Sequence, residues 1–313
     1  MNQIDKKFFC LVNYLKTLTT QEIYDHIKAS FDQIPTETKK SLEDYFKKFP
    51  YWGTLDLKTN NYDELYQKAG SLSNHIEDYI WLYQHLEDYR SKKLLYAVLN
   101  NWYQYDFQTL KECQENTYPD YFDLDIVKCD EKEVFVDLGA YIGDTALDFI
   151  NMYNQTYKKM YLYEITEETF NRLKNNLSKY PNIEYRNKAA SDTCSKMYLQ
   201  KSSVDASANS ITKEGTVEVE TTTIDEDIKE KVTIIKMDIE GSEQKALLGC
   251  KNHIQKDHPK LLLSVYHNNE DIWKIPRMID EICPGYQFYL RNHGGNIFPT
   301  EITLIAIYPM NKD

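Results

Sequence analysis

The residues able to do chemistry gather at the ends of short apolar runs in the second half of the chain. Val134-Phe135-Val136 leads into Asp137-Leu138-Gly139-Ala140-Tyr141-Ile142-Gly143-Asp144-Thr145. Glycines at 139 and 143 let backbone pass close to a ligand, and the helix expected after them offers free N–H groups. A pyrophosphate dinucleotide calls for G-x-G-x-x-G, whose third glycine lets helix and strand pack closely. That pattern is not met here, and Asp137 sets a negative charge where pyrophosphate would lie. A ligand carrying an ammonium and a sulfonium suits this acidic loop better. Glu164 ends the next apolar run, about twenty residues after Gly143, where a carboxylate can accept two hydrogen bonds from a ribose diol. It points to an adenosine ligand without choosing between S-adenosylmethionine (SAM) and NAD.

Three further strand ends carry polar groups. Ala189-Ala190-Ser191-Asp192 follows the third run. Asp192 could accept from an adenine amino group, or could equally cap a turn. The sharpest signal is Ile234-Ile235-Lys236-Met237-Asp238-Ile239-Glu240-Gly241-Ser242-Glu243, with three carboxylates in six residues after an apolar strand. Carboxylates at a helix N-terminus are commonplace because they complement its dipole. Asp238 and Glu240 directly after a buried strand nevertheless face the place where a ligand crevice would lie. Glu243 reads as a capping partner of that turn or a helix-surface residue. The fifth run ends in Ser264-Val265-Tyr266-His267-Asn268, and a histidine there could take a proton near neutral pH.

These positions require a doubly wound α/β sheet. Val134–Leu138, Met160–Glu164, Ile183–Lys188, Val232–Met237, Leu261–Tyr266, Gln287–Arg291 and Ile302–Tyr308 read as seven strands. Thr145–Tyr153, Glu167–Tyr180, Ser242–Cys250 and Asp271–Cys283 read as amphipathic helices among them. Such alternation implies parallel strands with crossover helices, and ligands then bind beyond the carboxyl ends of the strands. Met197–Gln200 and Val217–Thr223 read as an antiparallel pair around the polar loop Lys201–Gly215, either a solvated connection or a lid. Residues 1–130 read instead as a helical domain before a ligand-binding domain at 131–313. Apolar residues recur at three- and four-residue spacing in Tyr62–Ala69 and from Ile76 through Leu99. Pro35, Pro50, Gly53 and Gly70 punctuate the pattern, with Thr36 and Ser71 as candidate N-caps. Trp52, Trp81 and Trp102 read as core or as stacking surfaces for sugar rings.

The bulk properties narrow the partners. The chain of 313 residues has a formal net charge of -12 at pH 7, which argues against nucleic acid as the main partner. No apolar stretch approaches the ~18–20 residues needed to span a bilayer, and the first residues do not read as a signal peptide. The six cysteines form no CxxC pair and are expected to be reduced. A cytoplasmic protein is the expectation.

The strand-end segments together resemble the FkbM family of SAM-dependent methyltransferases. The matching pieces are Val136–Thr145, Tyr163-Glu164, Ala189–Asp192, Thr222–Asp225, Ile235–Glu243 and Pro259-Lys260 through Tyr266-His267. The specific part is Asp-Ile-Glu-Gly-x-Glu followed by a proline and a strand ending in His. Tyr141 departs from the Asn more usual in the family. The resemblance implies a Rossmann-like, seven-stranded class I methyltransferase sheet after the helical domain, and methyl transfer to oxygen, typically a sugar hydroxyl of a glycan or secondary metabolite. It further implies that Asp137, Gly139, Gly143 and Glu164, with Ala140, Tyr141, Asp144 and Thr145 in the same loop, hold the amino-acid and ribose parts of SAM. Ala190, Ser191 and Asp192 would flank adenine, and Asp238, Glu240 and His267 would lie where donor and acceptor meet. His267 is then the first candidate base and Glu240 the second. A divalent ion held by Asp238, Glu240 and His267 is a third option, though no ligand count indicates a metal. The rival readings are an NAD-dependent oxidoreductase and a non-catalytic binding module. Nothing in the sequence speaks to oligomeric state.

Overall fold

The computed structural model describes residues 1–49, 52–202, 209–295 and 297–309; Pro50 falls outside them, as do residues 203–208 of the polar loop. The chain forms two compact units. One comprises Met1–Asn116, Val265–Arg277 and Gln287–Leu304, the other Thr117–Ser264, Met278–Tyr286 and Ile305–Asp313.

The first unit opens with helices α1 (Gln3–Leu15), α2 (Thr20–Gln33), α3 (Thr36–Lys48), α4 (Asp63–Asn74), α5 (Ile76–His85), α6 (Tyr89–Gln104) and α7 (Phe107–Lys111). Capping boxes start α1 (Asn2 with Asp5) and α2 (Thr19 with Glu22), which satisfies N–H groups that no turn of the helix can reach. Ile4, Phe8 and Val12 on α1, and Ile23, Ile27 and Phe31 on α2, are buried at four-residue spacing, one face of each helix. The run from Ile76 to Leu99 is two helices rather than one. Leu86 leaves α5 to bridge Phe288, Glu87 N donates to Phe288 O at 3.0 Å, and Asp88 caps α6 through Ser91 N. Neither expected N-cap caps. Thr36 is already helical behind Pro35, and Ser71 lies inside α4 with its hydroxyl 2.6 Å from that of Tyr79. Trp52 and Trp102 are buried, which favours the core reading for both.

The second unit carries β1 (Val134–Leu138), α8 (Asp144–Met152), β2 (Lys159–Tyr163), α9 (Glu167–Leu177), β3 (Ile183–Arg186) and β4 (Ala189–Ala190). It continues with β5 (Lys196–Gln200), β6 (Ser210–Thr212), β7 (Glu218–Thr222), α10 (Ile224–Asp227), β8 (Ile234–Met237), α11 (Glu243–Leu248), α12 (Lys251–Asp257) and β9 (Lys260–Ser264). The chain ends with α13 (Asp271–Ile282), β10 (Gln287–Asn292) and β11 (Ile302–Ile307). A seven-stranded sheet runs β10-β11-β9-β8-β1-β2-β3. The pairs β1–β2, β2–β3, β1–β8 and β8–β9 are parallel. The mixed α/β fold with seven strands is thus the one expected. Beyond β3 the chain returns to the opposite side of β1 to form β8, so the order reverses between β1 and β8. A crevice opens at such a reversal.

Three elements differ from the pattern read in the sequence. The third strand stops at Arg186, and Ala189–Ala190 joins a second sheet, β4-β7-β5-β6, by pairing with Thr221 and Thr222. The antiparallel β5–β7 pair forms as expected, but β6 adds to the other edge of β5 from within the polar loop. The helix expected over Ser242–Cys250 is interrupted at Gly249. A Cβ there would lie 2.0 Å from Ser191 O, so close backbone approach requires glycine at this joint.

Candidate active site

The crevice is built on the loop after β1. Gly139 has φ +81°, and a Cβ on it would lie 1.9 Å from the Asp238 carbonyl oxygen. Gly139 N and Ala140 N donate to Tyr163 O at 3.1 and 2.8 Å, stitching the loop to the end of β2. Tyr141 takes φ +45°, a conformation rare outside glycine and characteristic of constrained sites. Gly143, at φ +89°, forms the N-cap of α8 and faces Leu173 and Leu177 of α9. Asp144 and Thr145 open α8, with Asp144 exposed.

The other strand ends complete it. Glu164 is buried, and its Oε1 accepts from Thr166 N at 2.7 Å and Thr169 Oγ1 at 3.0 Å. Burial raises its pKa, against the lowering effect of these donors. Asp238 N donates to Leu138 O at 3.0 Å, and Asp238 Oδ2 accepts from the Tyr121 hydroxyl at 2.9 Å. Glu240 and Gly241 both adopt positive φ, 56° and 88°, so the chain turns sharply after Asp238. Glu243 is buried and accepts from Ile239 N at 2.9 Å, which anchors that turn from the first turn of α11.

These parts surround a crevice of about 540 Å³. It brings together Gly139, Tyr141, Glu164, Ala190, Asp238 and Glu240 of the residues expected from sequence. Asp137, Ala140, Gly143, Asp144, Thr145, Ser191 and Asp192 do not line it. Ser191 N is held by Thr222 O at 2.9 Å, and exposed Asp192 accepts from the hydroxyl of Ser191 at 3.1 Å, a turn contact. His267 is buried in the first unit, its ring 4.3 Å from that of Tyr266, whose carbonyl accepts from Trp52 Nε1 at 2.7 Å.

Asp137 plays a different part from the one its position suggests. It is fully buried, and its Oδ1 lies 3.0 Å from the ammonium of Lys236, itself buried on β8. Lys236 Nζ also donates to Gly139 O at 2.9 Å and sits 5.3 Å from the centre of the Tyr121 ring. Burial pushes the Asp137 carboxyl up to about 6, with Lys236 acting against that rise. Burial works against the Lys236 charge, but Asp137 and Asp238 outweigh it and hold its pKa above the usual lysine value. The loop charge that argued against pyrophosphate is therefore compensated internally. What still disfavours pyrophosphate is the acidity of the lining after β8, with Asp238 and Glu240, beside the unmet third glycine.

Sequence reasoning missed Lys236, Tyr121 and the wall formed by Asn209, Ser210 and Ile211. A lysine within an apolar central strand was the available signal for the first, since a buried ammonium requires a partner. Among the described residues no helix is long and apolar enough to cross a membrane, and all six cysteines are free.

The sequence profile of the Methyltransferase FkbM domain matches residues 137–294, just over half of the chain and all of the crevice lining. No curated protein matches the chain. Among solved structures, a methyltransferase FkbM from Methylobacillus flagellatus KT is 26% identical with a TM-score of 0.65. The likeness covers 75% of this chain but 60% of that one. An rRNA methylase from Streptococcus thermophilus lies further off, at 11% identity, TM-score 0.40, and 58% and 89% of the two chains. Aeropyrum pernix fibrillarin with natively bound S-adenosyl-L-methionine has 13% identity, TM-score 0.38, and coverage of 58% and 70%. The fold is that of class I methyltransferases, and the chain belongs to the FkbM methyltransferase family.

Proposed function

We propose that the chain is a SAM-dependent O-methyltransferase whose acceptor is a sugar hydroxyl of a glycan or secondary metabolite. The observation that carries the cofactor is the crevice at the strand-order reversal, where Glu164 stands beside Ala189, Ala190 and Ile165. A carboxylate next to a small apolar slot suits a ribose with its adenine. Gly139, which tolerates no Cβ, gives the rest of the ligand close access to backbone. The residues present therefore fit SAM, whose sulfonium would supply an already activated methyl group. Residues 131–313 are assigned this chemistry; residues 1–130 inherit no function from the resemblance. A small-molecule rather than nucleic-acid acceptor fits the net charge of -12, and a cytoplasmic setting is part of the same proposal.

The chain's own contribution is positioning and proton handling. Placing acceptor and donor in line supplies much of the rate. A sugar hydroxyl has a high pKa, so a base at the acceptor side accelerates loss of its proton. His267 is assigned that role first and Glu240 second, with Asp238 and Glu240 ordering the acceptor side of the crevice. His267→Ala or Glu240→Ala is expected to keep affinity for S-adenosylhomocysteine (SAH) while labelled-methyl transfer falls about 10²–10⁴-fold. Screening nucleotide sugars and cell-envelope extracts provides the acceptor, and unchanged transfer in both variants removes these residues from the base role.

Glu164→Ala tests the cofactor half. Two hydrogen bonds from a diol to a carboxylate are at stake, so SAH affinity is expected to fall on the order of a hundredfold. The bonds require the ionised carboxylate, whose pKa burial raises. Wild-type affinity should therefore decline as pH is lowered through that raised value, and the decline should vanish in Glu164→Ala. Calorimetry across pH reads both effects, and an equal acid decline in the variant would assign it elsewhere.

A further inference from the structure

The edge of the second sheet supplies one wall of the crevice, although nothing in the shared strand-end pattern assigns it a role. Asn209, Ser210 and Ile211, at the start of β6, line the crevice with Gly139, Tyr141 and Glu164. Two observations fix this wall in place. Ile211 and Ile165 pack against the buried cluster Ala189, Leu199 and Val219, so β6 is seated on an apolar base. Asn209 is buried and uses both ends of its carboxamide. Its Nδ2 donates to Thr166 Oγ1 at 2.9 Å, and its Oδ1 accepts from Ser202 N at 2.8 Å. Thr166 stands two residues beyond Glu164 and donates its own N–H to that carboxylate at 2.7 Å. One side chain therefore ties β6 to the backbone segment that orients Glu164.

We propose that Asn209–Ile211 is the adenosine-facing wall of the cofactor site and that the Asn209–Thr166 hydrogen bond clasps it shut. This rests on the SAM reading given above and deepens it. Ile165, Ala189 and Ile211 offer apolar surface to a flat purine, while Asn209 and Ser210 form a polar rim. A ligand leaving the crevice on this side must break the clasp, so the clasp sets how long the nucleoside stays. The homocysteine half of the ligand, lying toward Gly139, is not held by it. Asn209 is a positioning residue, since it acts through the wall and through Thr166.

The test is stopped-flow and calorimetric binding of SAH, 5′-methylthioadenosine and L-homocysteine to the full chain. Asn209→Ala and Thr166→Val each remove the same bond, and Thr166→Val keeps the N–H that Glu164 accepts. Each is expected to raise the SAH dissociation rate about tenfold, the scale of one or two lost hydrogen bonds. Methylthioadenosine affinity should drop by the same factor and L-homocysteine affinity should not change. The double variant should match Asn209→Ala, because that change already deletes the bond to Thr166 together with the one from Ser202 N. Ile211→Ala should weaken both nucleosides without matching that coupling. A wild-type chain that binds SAH while the variants bind and release it unchanged overturns the clasp and wall but leaves the cofactor reading intact. A wild-type chain that binds neither SAH nor methylthioadenosine overturns both.

Discussion

Gly139→Ala is expected to destabilise the protein by about 3 kcal/mol and to weaken SAH binding, because ligand-facing backbone must be displaced. Two causes coincide at this residue. Its φ of +81° is unfavourable for any side chain, and the added Cβ would lie 1.9 Å from the Asp238 carbonyl oxygen. The obstacle is backbone, not a flexible side-chain tip, so either the β1 loop or the end of β8 must move. Movement on one side strains the bonds from Gly139 N and Ala140 N to Tyr163 O; on the other it strains that from Asp238 N to Leu138 O. Gly70 gives the contrast. It sits inside α4, where an added Cβ would meet only Asn74 Nδ2, at 4.0 Å, so Gly70→Ala should be neutral or stabilise by about 0.5–1 kcal/mol. Denaturant unfolding of both variants, with SAH titration, checks the pair. Equal and mild effects would contradict the close approach of the two strand ends.

Lys236→Met is the second large effect. It leaves Asp137 fully buried without its counter-ion, and losing one partner of a buried pair costs about 3–5 kcal/mol. The pH dependence identifies the cause. Already pushed up to about 6 with Lys236 present, the Asp137 carboxyl rises further without it, whereas in the unfolded chain it titrates near ~3.9. A carboxyl with a raised folded pKa contributes stability that is present below its unfolded pKa and lost as pH rises through the folded one. The deficit of Lys236→Met should therefore be greatest at pH 8 and shrink towards pH 5. Lys236→Met/Asp137→Leu should recover most of the loss, since replacing both partners of a buried pair by apolar groups is often neutral. Unfolding curves at the two pH values decide it; a deficit independent of pH would mean that lost packing, not an unpaired charge, is responsible.

The strands and crossover helices of the second unit were legible because their apolar runs are long enough to outweigh local noise. Strand β1, all five residues of which are buried, is the clearest case. Strand β6 was not legible. Ser210-Ile211-Thr212 holds one apolar residue in a polar loop, and only its pairing with β5 makes it a strand. The break between α5 and α6 was hidden for a related reason, because it is set by pairing with Phe288, about two hundred residues away in sequence. That Glu164, Gly139, Asp238 and Glu240 share one crevice was legible because strand ends in an open α/β sheet converge there. Asp137 misled because it is close to Gly139 in sequence yet still within the buried strand. Its partner Lys236 and the Tyr121 hydroxyl reach the site from distant segments, and no local spacing announces such contacts.

The most direct test of the central claim is calorimetry of the purified chain with SAH and, separately, NADH at neutral pH. The account predicts one-site binding of SAH, weakened on the order of a hundredfold by Glu164→Ala, with no binding of NADH. Binding of NADH with none of SAH would contradict it.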